Sequence, residues 1–259
     1  MKPHIILNFS HHFGAPIWNS ALSESSGIIV LEMRDGVARK TSFSALYLGT
    51  GKMGFRDVMF EEPWWVGIDA VQDDMALFSV FTESSNPDRK SLIAYHILQQ
   101  KVIWWKNDFS LTTMGNNCLL GIASALGHRE ICLDLLRGTE TEFVPPSIGT
   151  SAVRRPLQYL EGHSYFATVQ TFLQDHFNLK AVLALEYLEA RSLIFISFYT
   201  QSESGLMNEL LVISSDGELL FREKLGEQLK GIGQDTFFIY EGSVIFVKNR
   251  GELFSYNIV

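Results

Sequence analysis

Two adjacent histidines, His11 and His12, attract notice as possible metal ligands. On a strand they point to opposite faces and cannot hold one ion together. No HxH or HxxxH spacing follows them, and His163 and His176 stand equally alone, so the expectation is no metal site. Cys118 and Cys132 lack the CxxC spacing of a zinc site or redox pair and read as buried thiols. Gly49-Thr50-Gly51-Lys52 looks like a phosphate loop, but Met53 follows the lysine and the flanks read as strands. A glycine-rich hairpin is the better reading, and no GxSxG elbow occurs. The pairs Trp64-Trp65 and Trp104-Trp105 could cage a ligand. Strand neighbours face opposite ways, however, which suits one indole packing against each adjacent sheet. The best binding candidate is SAVRRPLQYLEGHSYF (151–166). Arg154 and Arg155 offer guanidinium forks for an anionic group, with Tyr159 and His163 beside them.

Those residues need a scaffold, and composition bounds what it can be. The chain has 259 residues, with 21 Lys+Arg against 29 Asp+Glu, a net charge of −8. With 46% hydrophobic residues it can bury enough apolar surface to offset the entropy of folding, which excludes a disordered chain. Two cysteines make no disulfide scaffold, and the acidic balance argues against a nucleic-acid partner. The start MKPHIILNFSHHFG breaks its apolar run at Asn8, so no secretory signal is expected. No apolar stretch nears the roughly 20 residues of a membrane helix. The expectation is a cytoplasmic protein without membrane contact. It reads as a single domain over 1–259, with an irregular insertion near 144–165, where VPPSIGTSAVRRP holds three of the seven prolines.

Self-similarity organises the chain. Residues 64–105 overlay 181–222 without a gap, setting Phe78 on Phe195, Phe81 on Phe198, Ser85 on Ser202 and Trp104 on Phe221. A second overlay sets 43–55 on 92–104, matching Ala45 with Ala94 and Lys52 with Lys101. LFSYNI (253–258) repeats LIAYHI (92–97), and EICLDLLRGTETEF (130–143) is a looser copy. The units recur about every 38 to 49 residues. SLIFISFY, KVIWW and GSVIFV are short, rich in β-branched and aromatic residues, and bounded by turns. Asp216-Gly217 supplies a positive-φ hairpin position, and Gly51 and Gly251 sit at comparable turns. Strands apolar on both faces imply sheets covered on both sides.

LIAYHILQQKVIWW and LLVISSDGELLF resemble the repeat of quinoprotein-type β-propellers, a strand, a turn, and a strand ending in an aromatic. The Asp that follows the "lyAl" strand in that family survives only as Asp134, and is His96, Ser214 and Asn257 elsewhere. The chain also resembles a bacterial family of propeller-like repeat proteins. The resemblance implies an all-β single propeller of five blades, or six if 166–177 is a strand pair and not a short helix. Quinoprotein dehydrogenases are typically larger and exported, and many carry a neighbouring-cysteine pair absent here, so no PQQ or other cofactor is predicted. AVLALEYLEAR (181–191) has helix-forming composition, but its overlay on 64–74 makes it a strand. The last unit stops after LFSYNIV, so residues 4–9 are expected to supply its missing outer strand. The functional expectation is a non-catalytic module binding a protein or small ligand through loops at the channel mouth. The alternative is a metal-dependent hydrolase or lactonase-like propeller with ligands scattered over several blades.

Overall fold

The computed structural model describes residues 4–83, 86, 89–146, 150–203 and 205–259. Ser85 of the first overlay and residues 147–149 of the insertion lie outside that set. The fold is all-β, a series of antiparallel sheets that number five among the described residues. The chain divides into two compact units, Phe13–Ala152 and Met1–His12 with Val153–Val259.

Strand β1 (Ile5–His12) precedes the first unit and belongs to the second. The first unit opens with a four-stranded meander of β2 (Ile17–Ser23), β3 (Ile28–Asp35), β4 (Lys40–Tyr47) and β5 (Met53–Val58). A second meander follows as β6 (Val66–Gln72), β7 (Met75–Phe81), β8 (Lys90–His96) and β9 (Lys101–Lys106). The third sheet has three strands, β10 (Phe109–Met114), β11 (Cys118–Ala123) and β12 (Arg129–Asp134), with a single bridge from Leu133 to Glu140 beyond them. The middle sheet explains its doubly apolar strands. Phe78, Ile93 and Tyr95 pack with Val30, Phe43 and Phe55 of the first sheet. On its other face Leu77, Leu92 and Ala94 pack with Phe109, Leu119 and Leu133 of the third. The two indoles of each Trp pair are buried unequally: Trp64 and Trp104 are half-buried, while Trp65, edge-on to the Phe81 ring, and Trp105 stay 46% and 48% exposed. Gly49-Thr50-Gly51-Lys52 forms the turn and entry to β5, not a phosphate cradle before a helix.

In the second unit β13 (Val153–Arg154) and β14 (Leu157–Leu160) come from the proline-rich insertion. Helix α1 (Ser164–Phe177) follows, then β15 (Ala184–Ala190), β16 (Leu193–Ser202), β17 (Gly205–Ser214) and β18 (Leu219–Leu229). The chain ends with β19 (Phe237–Tyr240), β20 (Ser243–Lys248) and β21 (Glu252–Ile258). The sheets run β14-β15-β16-β17-β18 and β1-β21-β20-β19-β13. Phe195, Leu210 and Val212 of one meet Phe237, Val244 and Phe246 of the other. The N-terminal strand does complete the last sheet: Ile5 lies opposite Ile258 and His12 opposite Glu252, and His4 and Val259 exchange backbone hydrogen bonds of 2.8 and 3.0 Å.

The ambiguous stretch 166–177 is helical. Phe166, Val169, Leu173 and Phe177 recur at helical spacing and cover Ile196, Phe198, Leu211 and Ile213 on the sheet face turned away from β19–β21. His163 caps the helix, its Nδ1 accepting from the Tyr165 N–H at 3.2 Å, and Asn178 in the left-handed region ends it. The segment 184–190 is a strand despite its composition, because β14 and β16 pair with it on both sides. Gly217, at φ +83, makes the β17–β18 turn. At the β20–β21 turn the positive φ falls on Asn249 and Arg250 instead of Gly251.

Candidate functional site

In the first unit the sheet-edge strands β2, β6 and β10 share an irregularity. Each skips one residue in its pairing: Trp18 between Ile17 and Asn19, Asp69 between Ile68 and Ala70, Thr112 between Leu111 and Thr113. A bulge leaves the extra residue outside the ladder and re-aims its side chain, and such devices gather near binding sites. Asp69 and Thr112 both line a cleft of about 570 Å³, together with Ile68, Ala70, Lys90, Leu111, Thr113 and Met114. Gly121 helps to set this geometry, since a Cβ there would lie 2.4 Å from the Phe109 ring and from the Ser110 carbonyl oxygen.

The polar side chains of the cleft are held from behind. The Ser79 hydroxyl donates to Asp69 Oδ2. Lys90 Nζ stands 4.8 Å from the centre of the Phe81 ring, a cation–π placement. The strand that carries Asp69 is anchored by buried Glu32, which accepts the Ile68 N–H at 3.0 Å and pairs with Arg34 Nε at 2.6 Å. Arg34 in turn donates to the Val66 carbonyl at 3.0 Å and lies over Trp64 and the 72% exposed Trp18.

Asp69 is exposed as a residue, and its carboxyl is partly desolvated by the surrounding cleft. Desolvation raises its pKa above 3.8, opposed by the Ser79 hydrogen bond and Lys90 and reinforced by Glu32. The native state therefore holds this proton at higher pH than the unfolded chain does. Stability falls as pH climbs from 3.8 through the raised value. Asp69→Asn is expected to flatten that fall in denaturant titrations run at a series of pH values; an undiminished slope would show that Asp69 is not desolvated.

A second cleft, about 470 Å³, lies at the adjoining ends of β7 and β8. There Arg89 is spent on Glu83 at 3.3 Å and Asp108 at 3.6 Å. Among the described residues no three His, Cys, Asp or Glu side chains gather to hold a metal ion. His12 lies 3.5 Å from Glu252, and the His11 ring is 5.6 Å from that of Phe9. Cys118 and Cys132 are buried and free. Cys118 Sγ accepts the Val144 N–H at 3.3 Å, and burial together with Cys118 pushes the Cys132 thiol up to about 11.

The candidates from 151–166 divide into two pairs. Arg154 donates to the Glu189 carbonyl, and Arg155 pairs with Asp235 at 3.3 Å and lies over Phe238. Tyr159 and His163 meet Tyr165 in a cluster of rings, with centroids 5.2 to 5.7 Å apart. Asp69 and Lys90 were not among the sequence candidates. The one available signal for Asp69 was a lone carboxylate inside the otherwise apolar strand VGIDAV.

The profile of a domain of unknown function, DUF4905, matches residues 22–104, a stretch that includes Glu32, Arg34, Asp69 and Lys90. No curated protein matches the chain. Among solved structures, BamB from Moraxella catarrhalis is 10% identical over 92% of this chain and 82% of its own, with a TM-score of 0.34. A eukaryotic initiation factor is 10% identical over 84% of this chain and 59% of its own, at 0.35. KlAtg21, solved with the coiled coil of AgAtg16, is 8% identical over 93% and 69%, at 0.33.

Proposed function

We propose that the five sheets are blades of one propeller built on quinoprotein-type repeats, and that the protein is a non-catalytic, cytoplasmic binding module. Its ligand is a small polar molecule held in the cleft between β6 and β10. The observation that carries this reading is the pair of facing bulges at Asp69 and Thr112 on neighbouring edge strands. Each bulge gives up ladder pairing, and at these two positions the released residue is polar and lines one cavity. Ser79 and the Glu32–Arg34 pair fix the carboxylate and its strand, so the cavity is shaped before a ligand arrives. The two free thiols fit a reducing compartment.

The test is a thermal-shift screen of small polar metabolites on the whole chain, with metal content measured in parallel. A ligand at a hundred times its Kd adds about 2.7 kcal/mol, or roughly 5–10 °C for a chain of this size. Hits are expected to lose that shift in Asp69→Asn and Lys90→Met. Hits indifferent to both changes, or a stoichiometric divalent ion accompanied by hydrolytic turnover, would overturn the proposal.

A further inference from the structure

We infer that the β6–β10 cleft selects a zwitterion, a small molecule carrying both an ammonium and a carboxylate, as a free α-amino acid does. The inference rests on the reading of this cleft as the ligand site and adds the charge pattern of the ligand. Asp69 and Lys90 sense each other electrostatically, yet they form no ion pair within 4 Å among the described residues. Asp69 uses Oδ2 for Ser79, which leaves Oδ1 to take a donor. The Lys90 ammonium is held by an aromatic face and not by a carboxylate, so it keeps capacity for an anion. A lone cation entering the cleft would meet Lys90, and a lone anion would meet Asp69. Only a ligand with separated opposite charges compensates both, and it costs the cleft no net charge. Thr112 and Thr113 hydroxyls add neutral donors and acceptors on the facing strand, and half-buried Leu111 and Met114 offer an apolar wall for a short aliphatic side chain.

Calorimetric titration of the whole chain with leucine, isocaproate (no amine) and isoamylamine (no carboxylate) tests this directly. Leucine is expected to bind at least about tenfold more tightly than either analogue, the loss set by one missing charge-assisted hydrogen bond. Asp69→Asn should remove the preference over isocaproate, Lys90→Met should remove the preference over isoamylamine, and Lys90→Arg should retain binding. Equal affinity for leucine and either analogue, or a screen ligand without both charges that depends on Asp69 and Lys90, would sink the zwitterion while leaving the cleft as the site. Absence of any ligand sensitive to Asp69 and Lys90 would sink both. Circular dichroism of each variant, with Lys90→Arg as the folded control, separates lost binding from lost fold.

Discussion

A chain that begins at Phe13 should lose most of the stability of the second unit. Without β1, strand β21 becomes an exposed edge along seven paired positions, from Glu252 to Ile258. Each backbone hydrogen bond contributes about 1 kcal/mol net, and Ile5 also leaves the apolar cluster it shares with Ile258 and Val244. The sum, about 6 kcal/mol or more, rivals the 5–15 kcal/mol of a whole domain. The expected outcome is a fall in midpoint so large that the truncated chain is partly unfolded or aggregated at 25 °C, seen by urea titration with circular dichroism. Adding a synthetic peptide of residues 1–12 should restore part of the transition by strand addition. An unchanged midpoint would mean that the β1–β21 ladder is not formed in solution.

Glu186→Ala is the second large effect. Glu186 is buried in β15, where its carboxylate accepts the backbone N–H groups of Asp235 at 2.6 Å and Thr236 at 2.9 Å, and the Thr236 hydroxyl at 2.5 Å. The Thr236 oxygen in turn accepts from the Ser197 hydroxyl at 2.7 Å, so one side chain ties the chain leading into β19 to the neighbouring sheet. Truncation strands two part-buried N–H donors, at the lower end of about 1–3 kcal/mol each, for a total near 3 kcal/mol in urea titration. Burial raises the Glu186 pKa above 4.5 in spite of those donors. The folded state thus binds more protons than the unfolded chain in the window above 4.5, and stability falls as pH rises across it. Glu186→Gln, which keeps one acceptor and no charge, should lose less than Ala and show a shallower pH slope. If Ala costs under about 0.5 kcal/mol, water has taken over the stranded donors.

The sheet architecture was legible because it is written in repeated local signals. The overlay of 64–105 on 181–222 covers β6–β9 and β15–β18, and the echo of LIAYHI in LFSYNI foretold that β21 needs an outer partner. Segment 181–191 was readable only through that overlay, since its own composition favours a helix. The reverse held for 166–177, which no repeat constrained and whose 3.6-residue stripe matters only once a sheet face lies beneath it. The cleft was illegible for a different reason. A bulge at Asp69 or Thr112 arises from pairing with a neighbouring strand, a property of two segments together that neither sequence carries alone. The exposure of Trp65 and Trp105 escaped for the same cause: alternation fixes which way a ring points, not how far its neighbours cover it.

The pairing of β1 with β21 also constrains how the molecule is made. Asn8 reaches Ser255 across 247 residues, and ribosomes add roughly 5–20 residues each second. Strand β1 therefore waits on the order of ten to fifty seconds for β21 to be made. During that interval its edge has no partner strand, and an unpaired edge is a template for pairing with another chain. The rate of translation between Asn8 and Ser255 therefore sets how long that edge stays open.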